Sequence, residues 1–334
     1  MDQVKFMAKS TPVKVIVRTT ARLHLGFIDL HGGIGRKFGS LGVSLQQPEC
    51  VVEVTPNDDG LVVSGQNQDR VKAIASQIIT KLKLDNGFRV TLWETIPAHV
   101  GLGSGTQLGL AVGTGLSTMA GVRTGVRELS NILWRGVVSG VGTATFEVGG
   151  FVVDGGKVIE PAKDQEDMLP PLLFHHAVPE DWIFVIAVPN VAKGLSGETE
   201  RRAFRDLPVA TAESAQIASR LLVMKMLPAI VDDDIERFGE ALTRIQILVG
   251  EAFASAQGGR YASPVITDCI NALLGAGALG AGQSSWGPTC YGLVRGSKKV
   301  SQVKKAVLEV VESNSGGLVF STPVNNQGAK IIIH

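Results

Sequence analysis

Short apolar runs separated by polar breaks dominate the first hundred residues. Val13–Arg18, Leu41–Leu45, Val51–Thr55 and Leu61–Ser64 are rich in branched side chains and read as strands. Val71, Ile74, Ala75, Ile78, Ile79 and Leu82 then recur at spacings of three and four, the stripe of an amphipathic helix. Phe88, Val90, Leu92 and Thr95 mark another strand. Helices are expected over about Ser104–Met119 and Glu128–Arg135, and a strand over Ala144–Val153. A polar, proline-marked stretch from Glu160 to Pro171 is the best linker candidate. Beyond it come a strand at Trp182–Val188 and a long helical region. In that region Ile235, Phe238, Leu242, Ile245 and Val249 share one face, behind a capping run Asp232–Asp234. A helix near Pro264–Leu274, a glycine-rich turn, a strand at Thr289–Val294, a helix near Lys298–Val311 and strands at Leu318–Phe320 and Ile331–Ile333 complete the pattern. The fold class is α+β in two parts, residues 1–165 and 172–334.

Composition narrows the possibilities. At 334 residues the chain exceeds what one core usually serves. Lys plus Arg number 32 against 31 Asp plus Glu, which excludes a generally nucleic-acid-binding or membrane-surface protein. A hydrophobic content of 44 % with so little net charge excludes disorder. Cys50, Cys269 and Cys290 are far apart and form no C-x-x-C pair, so they read as small buried hydrophobes. Met1 to Val17 lacks the apolar core of a secretory signal, and a reducing cytoplasm is expected. Thr95–Val122 carries no Asp, Glu, Lys or Arg, yet its proline, histidine and seven glycines suit a glycine loop feeding a buried helix, not a membrane span.

Generic motifs fall away on inspection. There is neither a G-x-x-x-x-G-K-[ST] loop nor a G-x-S-x-G elbow. Gly275–Gly280 matches G-x-G-x-x-G but follows a helix, not a strand. His175-His176 reads as loop or linker surface. Three segments remain. Arg18–Lys37 has four Lys/Arg against one Asp, so Arg22, His24 and their neighbours could hold a multiply charged phosphate. Pro97-Ala-His-Val-Gly-Leu-Gly-Ser-Gly-Thr-Gln107 places Gly101, Gly103 and Gly105 before a helix, with Ser104, Thr106 and Gln107 as donors; such a loop cradles an anion. Gln283, Ser284, Ser285 and Trp286 crowd among glycines, a setting for a flat ligand with polar edges.

In this order and spacing the segments resemble the GHMP small-molecule kinase superfamily. Pro97-x-x-x-Gly101-Leu-Gly-Ser104 matches its phosphate loop, and Asp29 and residues 280–287 occupy its first and third motif positions. That resemblance implies an N-terminal ribosomal-protein-S5-like domain and a C-terminal ferredoxin-like domain with the ligand cleft between them. Two departures stand out. The loop continues Gly105-Thr106-Gln107, and the kinase segment S-G-x-D is here Ser139-Gly140-Val141-Gly142, with no carboxylate to take a proton from a substrate hydroxyl.

A closer resemblance is to a non-kinase branch, the beta-ribofuranosylaminobenzene 5'-phosphate synthase family. It rests on Ala21-Arg-Leu-His24-Leu-Gly-Phe27, the loop through Gln107, Arg135–Gly150, and Gly282-Gln-Ser-Ser-Trp-Gly-Pro288. It implies condensation of phosphoribosyl pyrophosphate with 4-aminobenzoate or 4-hydroxybenzoate, with loss of CO2 and pyrophosphate, by a cytoplasmic, Mg²⁺-using homodimer in methanopterin biosynthesis. Arg22, Lys193 and the 101–107 loop are then expected on the phosphates, and Asp29 on ribose hydroxyls or Mg²⁺. Glu147 is expected as metal ligand or base, His24 as the proton-handling group, and Gln283, Ser284, Ser285 and Trp286 on the benzoate. Lys193 and Glu200 are expected to close the cleft. The alternative is an ATP-dependent GHMP-type kinase with its base elsewhere.

Overall fold

The computed structural model describes residues 12–160, 169–192, 194 and 197–334. Most of the linker candidate, residues 161–168, and residues 1–11 lie outside them. The first half runs β1 (Val15–Asp29), β2 (Arg36–Pro56), β3 (Leu61–Gly65), α1 (Gln68–Leu82), β4 (Phe88–Glu94), α2 (Ser104–Met119), α3 (Val126–Ile132), α4 (Val141–Val148), β5 (Phe151–Asp154) and β6 (Lys157–Val158). The second runs β7 (Leu172–His176), β8 (Trp182–Pro189), α5 (Gly197–Asp206), α6 (Ala212–Leu221), a π turn (Leu222–Met226) and α7 (Leu227–Val231). It ends with α8 (Ile235–Gln257), α9 (Pro264–Gly275), β9 (Gly280–Gln283), β10 (Cys290–Arg295), α10 (Ser297–Asn314), β11 (Gly317–Pro323) and β12 (Lys330–Ile333).

An eight-stranded sheet has the path β12-β1-β2-β4-β3, with β5 and β6 also pairing β2 and β7 pairing β5. β7 and β12 thus return from the second half of the chain to the first sheet. The other sheet is antiparallel, β11-β8-β10-β9. Its pleat explains its two faces. Val185 and Ala187 meet α9 and α10 through Ile270, Leu273, Val303 and Val307. Phe184 and Ile186 instead join a core that continues through Phe238, Leu242 and Ile245 of α8 to the first sheet.

The uncharged stretch 95–122 contains α2, buried along most of its length. Its glycines permit that burial: a Cβ on Gly115 would lie 2.7 Å from Val54, and one on Gly113 3.0 Å from Leu129. A different segment, Ala212–Val231, is long and apolar enough to cross a membrane by composition alone. Here it continues through the π turn and sends Leu222, Met226, Ala229 and Ile230 into the core.

Several expectations change. Ala144–Val153 is not one strand: α4 ends at Val148 and β5 starts at Phe151. Its β-branched run suggested a strand, but Asp154 Oδ2 accepts the Gly140 N–H at 2.8 Å at the helix start. Gly149 and Gly150, at φ 68° and 63°, then turn the chain where a side chain would strike backbone of Gly328 and His176. His175-His176 belongs to strand β7, opposite Val152 and Phe151. The basic segment from Arg18 is largely the continuation of β1, and the glycines at 280–282 form β9 instead of a turn.

Candidate active site

β1 carries Arg22 and His24, and its register with β2 shifts between Thr20 and Arg22 and again between His24 and Gly26. Such bulges re-aim side chains. Arg22 lies over the glycine loop: a Cβ on Gly103 would come within 2.9 Å of its Cγ. Its Nη1 donates to the Gly101 carbonyl at 2.5 Å. The Ser284 hydroxyl donates to the same carbonyl at 2.7 Å and accepts the His24 backbone N–H at 3.0 Å. Gly101 sits at φ 91°, and a Cβ there would stand 2.4 Å from the Ser284 carbonyl oxygen, so no other residue allows this approach. The three sequence segments therefore meet at one junction.

On one side of the junction is an open cleft of about 380 Å³. Its floor is the start of α2, where no side chain caps the helix and the first turn has no acidic residue. Arg22, Arg70 from α1 and Arg135 after α3 line it. A Cβ on Gly105 would stand 3.0 Å from Arg70 Nη2 and 3.3 Å from Arg135 Nη1. Burial lowers the Arg22 pKa to about 10, with Glu200 opposing the shift. Burial also lowers that of Arg135, followed by repulsion from Arg70. Three guanidinium groups at a helix N-terminus have the charge and donors to hold a polyanion.

On the other side is a smaller and more enclosed cavity. Phe27 and Phe253 stack at 5.8 Å, and Trp286 meets Phe253 at 4.8 Å and Phe204 at 5.4 Å, edge to face. Ser285 and Trp286 line both spaces. α5 also serves both, with Glu200 in the cleft and Phe204 in the cavity. His24 lines the cavity, 5 % exposed and 4.6 Å from Phe27. Burial, reinforced by Arg22, lowers its pKa to about 3, so the imidazole is neutral at pH 7.

The expected residues divide accordingly. Arg22, Gly101, Gly103, Ser104, Gly105, Thr106, Ser285, Trp286 and Glu200 line the cleft, and His24 and Gln283 the cavity. Ser284 is fully buried and links the junction. Three others are not brought in. Gln107 is buried, accepting from Thr19 at 2.5 Å and donating to the Gly142 carbonyl at 2.8 Å. Asp29 accepts the N–H groups of His31 and Gly32 at 2.8 and 2.7 Å, closing a turn. Glu147 is exposed on α4, because the helix turns it away from the junction. Lys193 lies outside the described residues. His24, expected to handle protons, lines the cavity, with its pKa lowered by burial.

Sequence reasoning missed Arg70, Phe204 and Phe253, which sit on ordinary helical faces with no motif to flag them. Arg135 opened a quoted motif block without being singled out. No group of three His, Cys, Asp or Glu gathers among the described residues. Glu200 is the carboxylate lining the cleft among those residues, which fits a cation held chiefly by substrate phosphates.

The models of the GHMP kinase N-terminal and C-terminal domains match residues 69–150 and 226–313. Beta-ribofuranosylphenol 5'-phosphate synthase of Methanothermobacter thermautotrophicus is 34 % identical over 96 % of this chain and 99 % of its own. The protein of the same name from Methanocaldococcus jannaschii is 33 % identical, covering 95 % of this chain and 100 % of its own. Among solved structures, homoserine kinase of Cytophaga hutchinsonii superposes with a TM-score of 0.72 at 21 % identity, over 98 % of this chain and all of that one, a likeness of fold. With full-length relatives at this identity and both GHMP domain models matched, the chain belongs to the beta-ribofuranosylphenol 5'-phosphate synthase family.

Proposed function

We propose that this chain condenses phosphoribosyl pyrophosphate with 4-hydroxybenzoate, releasing CO2 and pyrophosphate and leaving a ribofuranosylphenol 5'-phosphate. One observation carries the reading: an arginine-lined polyanion cleft and an aromatic-walled cavity share the wall Ser285–Trp286. Two substrates, one highly phosphorylated and one a flat ring, need such adjoining spaces. The word phenol in the relatives' names favours the hydroxyl over the amino compound.

In this reading the α2 N-terminus with Arg22, Arg70 and Arg135 holds the phosphate groups and stabilises the charge that grows on departing pyrophosphate. The bond from ribose C1 to the pyrophosphate oxygen breaks with its electron pair leaving on oxygen. The ring carbon bearing the carboxylate donates a pair to C1. The carboxylate then leaves as CO2, its bonding pair returns to the ring, and aromaticity is restored. Phe27, Phe204, Phe253 and Trp286 hold the ring and exclude water, which would otherwise capture C1. Mg²⁺, with Glu200 as its protein contact, would supply further neutralisation of the leaving group.

The test supplies the purified protein with Mg²⁺, phosphoribosyl pyrophosphate and carboxyl-labelled 4-hydroxybenzoate. Equal amounts of CO2 and pyrophosphate should appear only when both substrates are present. Label that stays in solution, or phosphoryl transfer from ATP to a metabolite panel, refutes the proposal.

A further inference from the structure

Between Gly280 and Val294 every residue is buried except Ser285. The Ser284 carbonyl accepts the Gly287 N–H at 3.0 Å, so Ser285 and Trp286 are the middle of a tight turn. Ser285 takes φ 56°, in the left-handed region, at a turn position that glycine ordinarily fills. Its carbonyl accepts from Gln283 Nε2 at 2.9 Å, and the Ser284 hydroxyl before it donates to the Gly101 carbonyl at 2.7 Å, so the turn is fixed from both sides. Strained backbone of this kind gathers where a protein binds or reacts.

The other polar side chains around the aromatic cavity are largely committed. Gln246 donates to the Leu25 carbonyl and accepts the Gln283 N–H, both at 2.8 Å. Gln283 also accepts from Ala262 at 2.8 Å and donates to Gln257 at 3.2 Å. Arg260 stands at the exposed rim, paired with Glu251 at 3.0 Å. His24 Nε2 is closed off inside the protein. The Ser285 hydroxyl takes no hydrogen-bond partner from the described residues and is not closed off. Tyr261 is half-buried too, but it lines the cavity alone, whereas Ser285 lines both cavity and cleft.

We propose that the Ser285 hydroxyl donates a hydrogen bond to the carboxylate of the aromatic acid and so aims the carbon bearing it at the ribose. This rests on the function proposed above and adds the group that holds the carboxylate. The reaction joins that carbon to ribose C1, so the carboxylate has to lie where the ring's space meets the phosphates' space. Ser285 stands at that boundary. One uncharged donor suits a group that must then leave. It orients the carboxylate, whereas a guanidinium would more strongly stabilise the charge that decarboxylation removes. The serine keeps its proton throughout: the pair of the breaking carbon–carbon bond passes to the ring, and CO2, a poor acceptor, leaves the hydroxyl.

Ser285→Gly and Ser285→Ala test this, by calorimetry with 4-hydroxybenzoate and with 4-methylphenol, which has a methyl group where the acid has its carboxylate. The wild-type protein should bind the acid about 10-fold more tightly, the effect of one hydrogen bond to a charged group. Both variants should erase that preference by weakening the acid and leaving 4-methylphenol unchanged. In steady-state kinetics they should raise KM for 4-hydroxybenzoate about 10-fold and spare that for phosphoribosyl pyrophosphate. Ser285→Gly should melt no lower than wild type, because glycine takes this φ freely, so its lost preference is not a folding defect. A preference that survives in both variants, or a rise in KM for phosphoribosyl pyrophosphate instead, overturns this assignment alone. If the wild-type protein binds neither compound, the benzoate reading falls and takes this assignment with it.

Discussion

Burial of His24 should make the fold sensitive to acid, by an amount that follows from the surroundings of the ring. The imidazole is held neutral in the fold, its pKa lowered from 6.5 to about 3 by burial and then by Arg22. In the unfolded chain it protonates near its ordinary value. Between those limits the unfolded state binds the extra proton, so acid pulls the equilibrium toward unfolding. The stabilisation is fully present above pH 6.5 and is lost as pH falls toward 3. At about 1.4 kcal/mol per unit the whole window is worth about 5 kcal/mol. Relative to pH 7.5, His24 alone should remove about 1 kcal/mol at pH 5.5 and about 3 kcal/mol at pH 4.5.

Many groups titrate in that range, so the comparison must be between wild type and His24→Phe, which keeps a ring and removes the titration. Melting temperatures of both would be measured from pH 7.5 to 4.5. At roughly 2 °C per kcal/mol for a chain of this size, the wild type should lose about 5 °C more than the variant by pH 4.5. Histidine NMR should show no His24 titration between pH 5 and 8. Parallel melting curves for the two proteins, or a titration midpoint near 6.5, would refute the claim that His24 is neutral in the fold.

Gly105→Ala should leave the melting temperature nearly unchanged, because its Cβ meets only the flexible ends of Arg70 and Arg135; steady-state kinetics should show KM for phosphoribosyl pyrophosphate raised about 10-fold by the displaced guanidiniums. Arg135→Gln should raise the same KM by about 10- to 100-fold while sparing that of the benzoate, the loss of a charge-assisted contact. Gly101→Ala should be costly to the fold as well, about 2 kcal/mol or more by denaturant melts, since φ 91° and a 2.4 Å contact with backbone leave no escape. Chelation by EDTA should abolish turnover without moving the melting temperature, because no cluster of three metal-binding side chains exists among the described residues.

The sequence made the junction legible because its parts are local. A glycine loop before a helix, a basic strand and a Ser-Ser-Trp turn each carry a signal within ten residues. The elements that rest on one hydrophobic period, such as α1, α8 and α10, were equally readable. What stayed hidden depends on long-range packing. Arg70 is one polar position among many on α1, and only the fold sets it over Gly105. Phe204 and Phe253, on α5 and α8, meet across 5.8 Å although 49 positions separate them. Gln107 looked like a loop donor, but α2 turns it inward to Thr19 and Gly142. The α4 misreading has a similar origin. Val141–Val148 has strand-forming residues, and its helical state depends on Asp154, which comes six residues after the helix.

The differences from a kinase site form one consistent set under the proposed reaction. Phosphoryl transfer to a hydroxyl needs a group to take the hydroxyl proton, and Gly142 leaves none at the position where the kinase motif has Asp. A Cβ there would meet Thr106 at 3.1 Å, so a side chain at 142 would face the phosphate loop. When the nucleophile is a ring carbon bearing a carboxylate, no proton has to leave before attack, and an added carboxylate would only repel the phosphates. What that chemistry does need is charge against a departing pyrophosphate and a dry wall behind the ring. Arg70 and Arg135 over Gly105 meet the first need, and Phe27, Phe204, Phe253 and Trp286 the second. His24 agrees with the dry wall: burial, and then Arg22 beside it, keep the imidazole uncharged.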